Sequence, residues 1–168
     1  MTISMYQVAV PTFLQILTAM SKIIDKASAH AAARKIDQAN FLNARLAPDM
    51  FNLTRQVQVA ADFAKNTVAR LAGVEIPKFE DNEKTFEELK ARIAKTVDYV
   101  KSFKPEQIDG SENRDITLPL GGQPMTFKGQ AYLMSFALPN FYFHATAAYA
   151  ILRHNGLEIG KRDFLGAA

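Results

Sequence analysis

Apolar side chains recur along this chain at steps of three and four. Phe13, Leu17, Met20, Ile24 and Ala27 form one stripe, and Leu53, Val57, Ala60, Ala64, Val68 and Leu71 form a second. Phe86, Leu89, Ile93, Val97 and Val100 form a third. This spacing keeps one face of a 3.6-residue helix apolar, so the pattern predicts long amphipathic helices. Pro11 either opens the first helix or kinks a slightly longer one starting near Ser4, because proline offers no amide hydrogen to an interior turn.

The polar residues between the stripes act as punctuation. Asp37 is expected to cap a brief helix through Asn43, and Asp49 to cap the second long helix, with Gly73 as its left-handed stop. Thr85 and Glu88 have capping-box spacing, which starts the third helix at Phe86. Glu87, Lys90, Arg92, Lys95 and Asp98 then fall on its wet face.

After Phe103 the period changes. Asp115 to Leu120 and Pro124 to Phe127 flank Gly121 and Gly122, which predicts a small hairpin whose prolines suit an edge. A last helical region is expected from Gly129 to Asn155. Pro139 divides it into Gln130 to Leu138 and Asn140 to His154, and Gly156 closes it. The tail from Leu157 to Ala168 shows no periodicity. The fold expected is all-α, an up-and-down four-helix bundle with a small β-hairpin before the last helix. A length of 168 residues suits one domain spanning 1–168, and 48% hydrophobic residues supply its core.

Composition narrows the chemistry. Without cysteine there is no disulfide, thiolate metal site or cysteine nucleophile. The formal charge of +3 is spread along the chain, and its tightest basic pair, Lys161 and Arg162, precedes Asp163. Nucleic-acid binding needs clustered positive charge, so it is not expected. The start, MTISMYQVAV, carries no basic leader, and no stretch reads as ~18 uncharged apolar residues. The expected location is therefore cytoplasmic, with no membrane contact.

No GxSxG, P-loop, GxGxxG or HExxH motif is present. Of the three histidines, His30 lies in the polar stretch AHAAARKID and reads as a solvated helix end. His154 stands in a last helical turn, where a cation suits the unsatisfied carbonyls. His144 differs, because it follows Asn140-Phe141-Tyr142-Phe143 in mid-helix and would need a polar partner if buried. Asn140, four residues earlier, shares its helical face. Gln56 falls on the inner side of the second long helix, between Leu53 and Ala60. Gln56, Asn140 and His144 are thus the candidate binding-pocket residues, read either as a hydrogen-bonded network inside the bundle or as a functional site.

The stretches LNARLAPDMF and LPNFYFHATAAYAILRHNG, with the tail GKRDFLG, resemble a bacterial domain-of-unknown-function family in the DinB/YfiT-like superfamily, over almost the whole chain. The resemblance implies a four-helix bundle, commonly a homodimer. It also implies a divalent metal held by three histidines and, in better-known members, thiol-dependent transferase or isomerase chemistry. Two of those histidines form an HxxxH pair opening the last helix. Leu152-Arg153-His154-Asn155-Gly156 fixes that alignment, so Asn140 and His144 occupy the pair and only the second histidine is kept. Gln56 stands for the third ligand, with Gln58 less well aimed.

One histidine and two neutral amides suit zinc or nickel poorly. Nor can His154 help, since ten helical residues separate it from His144 by roughly 15 Å. The expectation is no metal and no cofactor. Three functions follow: a metal-free small-molecule-binding or helper bundle with a degenerate metal site; a metal-dependent transferase or hydrolase built around His144; and a homodimeric interaction protein. The generous aromatic count, 12 Phe and 5 Tyr, also favours a homodimer that buries the surplus.

Overall fold

The computed structural model describes residues 3–166, so the reading of Met1, Thr2, Ala167 and Ala168 lies outside the described residues. Its first helix, α1 (Met5–Arg34), opens on Ser4, whose hydroxyl accepts from the Gln7 amide while the Gln7 side chain accepts from the Ser4 amide. Pro11 is therefore inside the helix, at an exposed position where a missing hydrogen bond faces water. Phe13, Leu17, Met20, Ile24 and Ala27 are all buried. No stretch was expected to approach membrane-spanning length and apolarity, yet α1 contains an 18-residue window of mean hydropathy 1.3, long and apolar enough by that measure. Half of that window is buried inside the protein, on the other helices.

A short helix, α2 (Gln38–Leu42), is capped by Asp37 as expected. The cap of α3 (Leu53–Ala72) is a correction. Asn52, not Asp49, takes this position and its side chain accepts from the Arg55 amide. The α3 stripe is fully buried, and Gly73 ends the helix at φ 70°. Helix α4 (Phe86–Lys101) begins at the Thr85–Glu88 capping box. It packs against α1 and α3, while α3 packs most extensively on α7 (Leu138–His154).

Arg92 also departs from expectation. It is not on the wet face of α4; its side chain is 2% exposed. Its Nη1 donates to the Glu80 carbonyl (3.1 Å) and Glu83 (2.9 Å), and its Nη2 to Asp62 (3.0 Å) and Asp81 (2.9 Å). Burial works against that charge, but Glu83, Asp62 and Asp81 outweigh it, and the guanidinium pKa is raised. The strap joining α3 to α4 is thereby tied down from within. Lys65, itself buried, donates to the Pro77 carbonyl at 2.9 Å in the same strap.

Beyond α5 (Pro105–Ile108), β1 (Asp115–Leu120) and β2 (Gln123–Lys128) form an antiparallel hairpin in which Pro119 faces Pro124. Gly121 and Gly122 have φ of 57° and 82°, as a tight two-residue turn requires. Ile116 and Leu118 point into the core. The last helical region is not two pieces split at Pro139. It runs through α6 (Gly129–Ala131) and a π-helical turn (Tyr132–Ala137) into α7, with Pro139 in the first turn of α7. Phe141 of α7 meets Phe13 of α1 edge to face, 4.9 Å between ring centroids, and both are wholly buried. The tail forms one more helix, α8 (Lys161–Leu165), held on α1 by the Lys26–Asp163 pair and by Gln15 donating to the Leu165 carbonyl.

Candidate functional site around His144

Two helices bring the candidate residues together, and the fit is selective. Gln56 lies in the first turn and a half of α3 and is 1% exposed. His144 lies two turns into α7, half-buried. Because α3 and α7 pack along their lengths, the imidazole Nδ1 sits 2.7 Å from Gln56 Oε1. The Gln56 Nε2 donates to the Phe51 carbonyl at 3.3 Å. Turning the amide over would set two oxygens against each other there, so Oε1 faces the ring and Nδ1 carries the proton. His144 is thus held as the Nδ1–H tautomer, and its Nε2 keeps a lone pair that no described residue uses.

Asn140 does not join this pair. Its Nδ2 donates to the Phe136 carbonyl at 2.7 Å, in the π-helical turn just before α7. Gln58 turns the other way, donating to Glu83 at 2.8 Å. His30 is inside α1 rather than at its end, half-buried against Phe41 at 5.9 Å between centroids. His154 stands exposed in the last turn of α7.

Three aromatic rings enclose the imidazole. Phe51 (6.3 Å, 24°) and Phe63 (5.8 Å, 17°) stack on it, and Phe143 meets it edge-on at 5.2 Å. Burial lowers the His144 pKa from its ordinary value, and the Arg55 charge lowers it further. Both act on the imidazolium, so the ring is neutral near neutral pH. Arg55 also lies over the Phe51 ring, 5.8 Å from its centroid.

The sequence reading missed Phe51, Arg55 and Phe63. Phe63 was within reach of periodicity, since it follows Gln56 by seven residues and so shares its face of α3. Phe51 and Arg55 depend on how the chain enters α3, and the Asp49 cap concealed that. Among the described residues, no three His, Cys, Asp or Glu side chains converge on a point where an ion could sit. With Gln56 and Asn140 committed to internal hydrogen bonds, the chemistry offered is that of one neutral imidazole base between aromatic walls.

Among solved structures, a crystal structure described as that of a DinB family member protein from Shewanella denitrificans is similar to this chain. The two share 44% identity at a TM-score of 0.91, over 97% of this chain and 92% of that one. No curated protein matches. The family described as Domain of unknown function (DUF1993) matches residues 5–165, nearly the entire length. The chain belongs to that domain-of-unknown-function family, with a DinB family member as a structural neighbour.

Proposed function

We propose that this protein is a cytoplasmic, metal-free bundle of the DinB-like, up-and-down four-helix kind, and that it binds a small molecule at His144. The carrying observation is the 2.7 Å contact between Gln56 Oε1 and His144 Nδ1. It spends one inherited ligand position on fixing the tautomer of the other. Asn140, the third such position, is spent on the Phe136 carbonyl. What is left is a single Nε2 acceptor in an aromatic setting, which suits orienting a ligand better than activating metal-bound water.

The test is metal content. Untagged protein incubated with zinc or nickel and then dialysed is expected to hold only background metal, with or without His144. Retention of close to one equivalent, lost on His144→Ala, would instead support the metal-dependent transferase or hydrolase reading.

The homodimer reading has its own observation. Met125 on β2 and Met134 on the π-helical turn are 48% and 51% exposed, two large apolar side chains left in water. Burial between two symmetric copies would remove them from solvent. Light scattering at about ten micromolar, a concentration at which typical homodimers persist, is expected to report twice the chain mass. A monomer at that concentration counts against it.

A further inference from the structure

On the outer face of α7 runs an open groove of about 360 Å³. Leu46 and Met50 line one wall, and Tyr142, Phe143, Thr146 and Ala150 the other; none of the lining residues is charged. Tyr142 and Phe143 are 40% and 57% exposed. Phe143 belongs to both places, forming the groove on one side and touching His144 edge-on. Phe51 follows Met50 directly and is half exposed, with its ring against both His144 and Arg55.

Arg55 has one edge occupied and one open. Its Nη1 donates to both Asp81 and Gln58. Its Nε and Nη2, which point the same way, make no hydrogen bond among the described residues. Two parallel N–H groups of this kind match the two oxygens of a carboxylate. Of the acidic groups around it, Asp81 already takes Nη1, and Glu83, which accepts from Gln58, is held by Arg92. Arg45 bonds the Pro48 and Met50 carbonyls and so braces the loop that leads into Phe51.

We propose that these two features form one binding site for a small monocarboxylic acid, its carboxylate on the open edge of Arg55 and its apolar body across Phe51 into the groove beside Phe143. This rests on the small-molecule reading and names its ligand class. A carboxylate there would offset the Arg55 charge that His144 feels. Acid binding should therefore raise the His144 pKa, and a neutral ligand should not.

The experiment uses hexanoate and phenylacetate, with their primary amides as neutral counterparts, followed by calorimetry and by NMR of the His144 imidazole. Both acids are expected to bind and to shift the imidazole titration upward. Arg55→Gln should weaken acid binding at least tenfold, and Arg55→Lys less, since it keeps the charge and loses the fork. Arg55→Gln also cuts the tie to the strap, so Asp81→Asn is the companion variant. It weakens the same tie while leaving both open N–H groups in place, and should bind acid at least as well as the parent.

Amides binding as tightly as acids, or acid binding indifferent to Arg55→Gln, overturns the proposal and leaves the small-molecule reading standing. If neither acids nor amides move the His144 signals, both fall. Groove signals that shift with protein concentration alone would make the groove a contact between two copies of this chain, which also overturns it.

Discussion

Replacing Arg92 with alanine is expected to cost about 3–5 kcal/mol of unfolding free energy, nearer the lower figure, because it strands the buried Glu83 carboxylate rather than merely deleting a contact. The Glu83 side chain is 8% accessible, and without Arg92 it keeps just the Gln58 amide as a partner. Asp62 and Asp81 are 28% and 39% accessible, so water can recover part of their loss. Urea unfolding measures the change. Replacing Arg92 and Glu83 together with Met and Leu removes charge and counter-charge at once, and should recover most of the stability lost by Arg92→Ala. A loss below about 1 kcal/mol for Arg92→Ala would place this network with ordinary surface ion pairs and contradict the expectation.

Arg92 also marks where sequence reading ends. Helical spacing sets it three residues after Leu89 and four before Thr96, at the margin of the buried stripe, and only its charge argues for the wet face. Its counter-charges come from Asp62, thirty residues earlier on α3, and from Asp81 and Glu83 in the strap between the helices. No periodicity reports a strap folding back over a helix. By contrast the three apolar stripes, the Thr85–Glu88 box, the Gly73 stop and the hairpin turn are properties of residues within a few positions of one another, and each was readable.

The errors have equally local causes. Asp49 and Asn52 are both good caps three residues apart, and what decides between them is that the buried stripe begins only at Leu53. Proline at 139 reads as a break, but the helical run continues through it, from the π-helical turn into the first turn of α7. Helix α8 has five residues, too few to show a period. At the site, the facing of Gln56 and His144 was legible from helix phase together with the family alignment. The placement of Asn140 was not, because a shared face does not say which way a short amide turns.

The Gln56–His144 pair supplies the second large effect. Gln56→Leu is expected to cost about 1–3 kcal/mol, since it leaves the imidazole Nδ1–H and the Phe51 carbonyl each without a partner. The pH dependence gives a sharper test of the imidazole itself. Burial and the Arg55 charge hold the folded His144 pKa below its ordinary value, whereas in the unfolded chain it titrates near about 6.5. Between the two values the unfolded chain binds more protons than the folded protein, so stability rises with pH across that window. The contribution of His144 is therefore complete above the unfolded pKa and is lost as pH falls through the folded one. Urea unfolding at about pH 8 and about pH 5 should show a larger acid loss in the parent protein than in His144→Leu, whose carboxylates titrate alike but which has no imidazole to protonate there. Equal losses in the two proteins would mean that the ring accepts a proton as readily in the folded state as in water, and neither the neutral tautomer nor its use as a hydrogen-bond acceptor would stand.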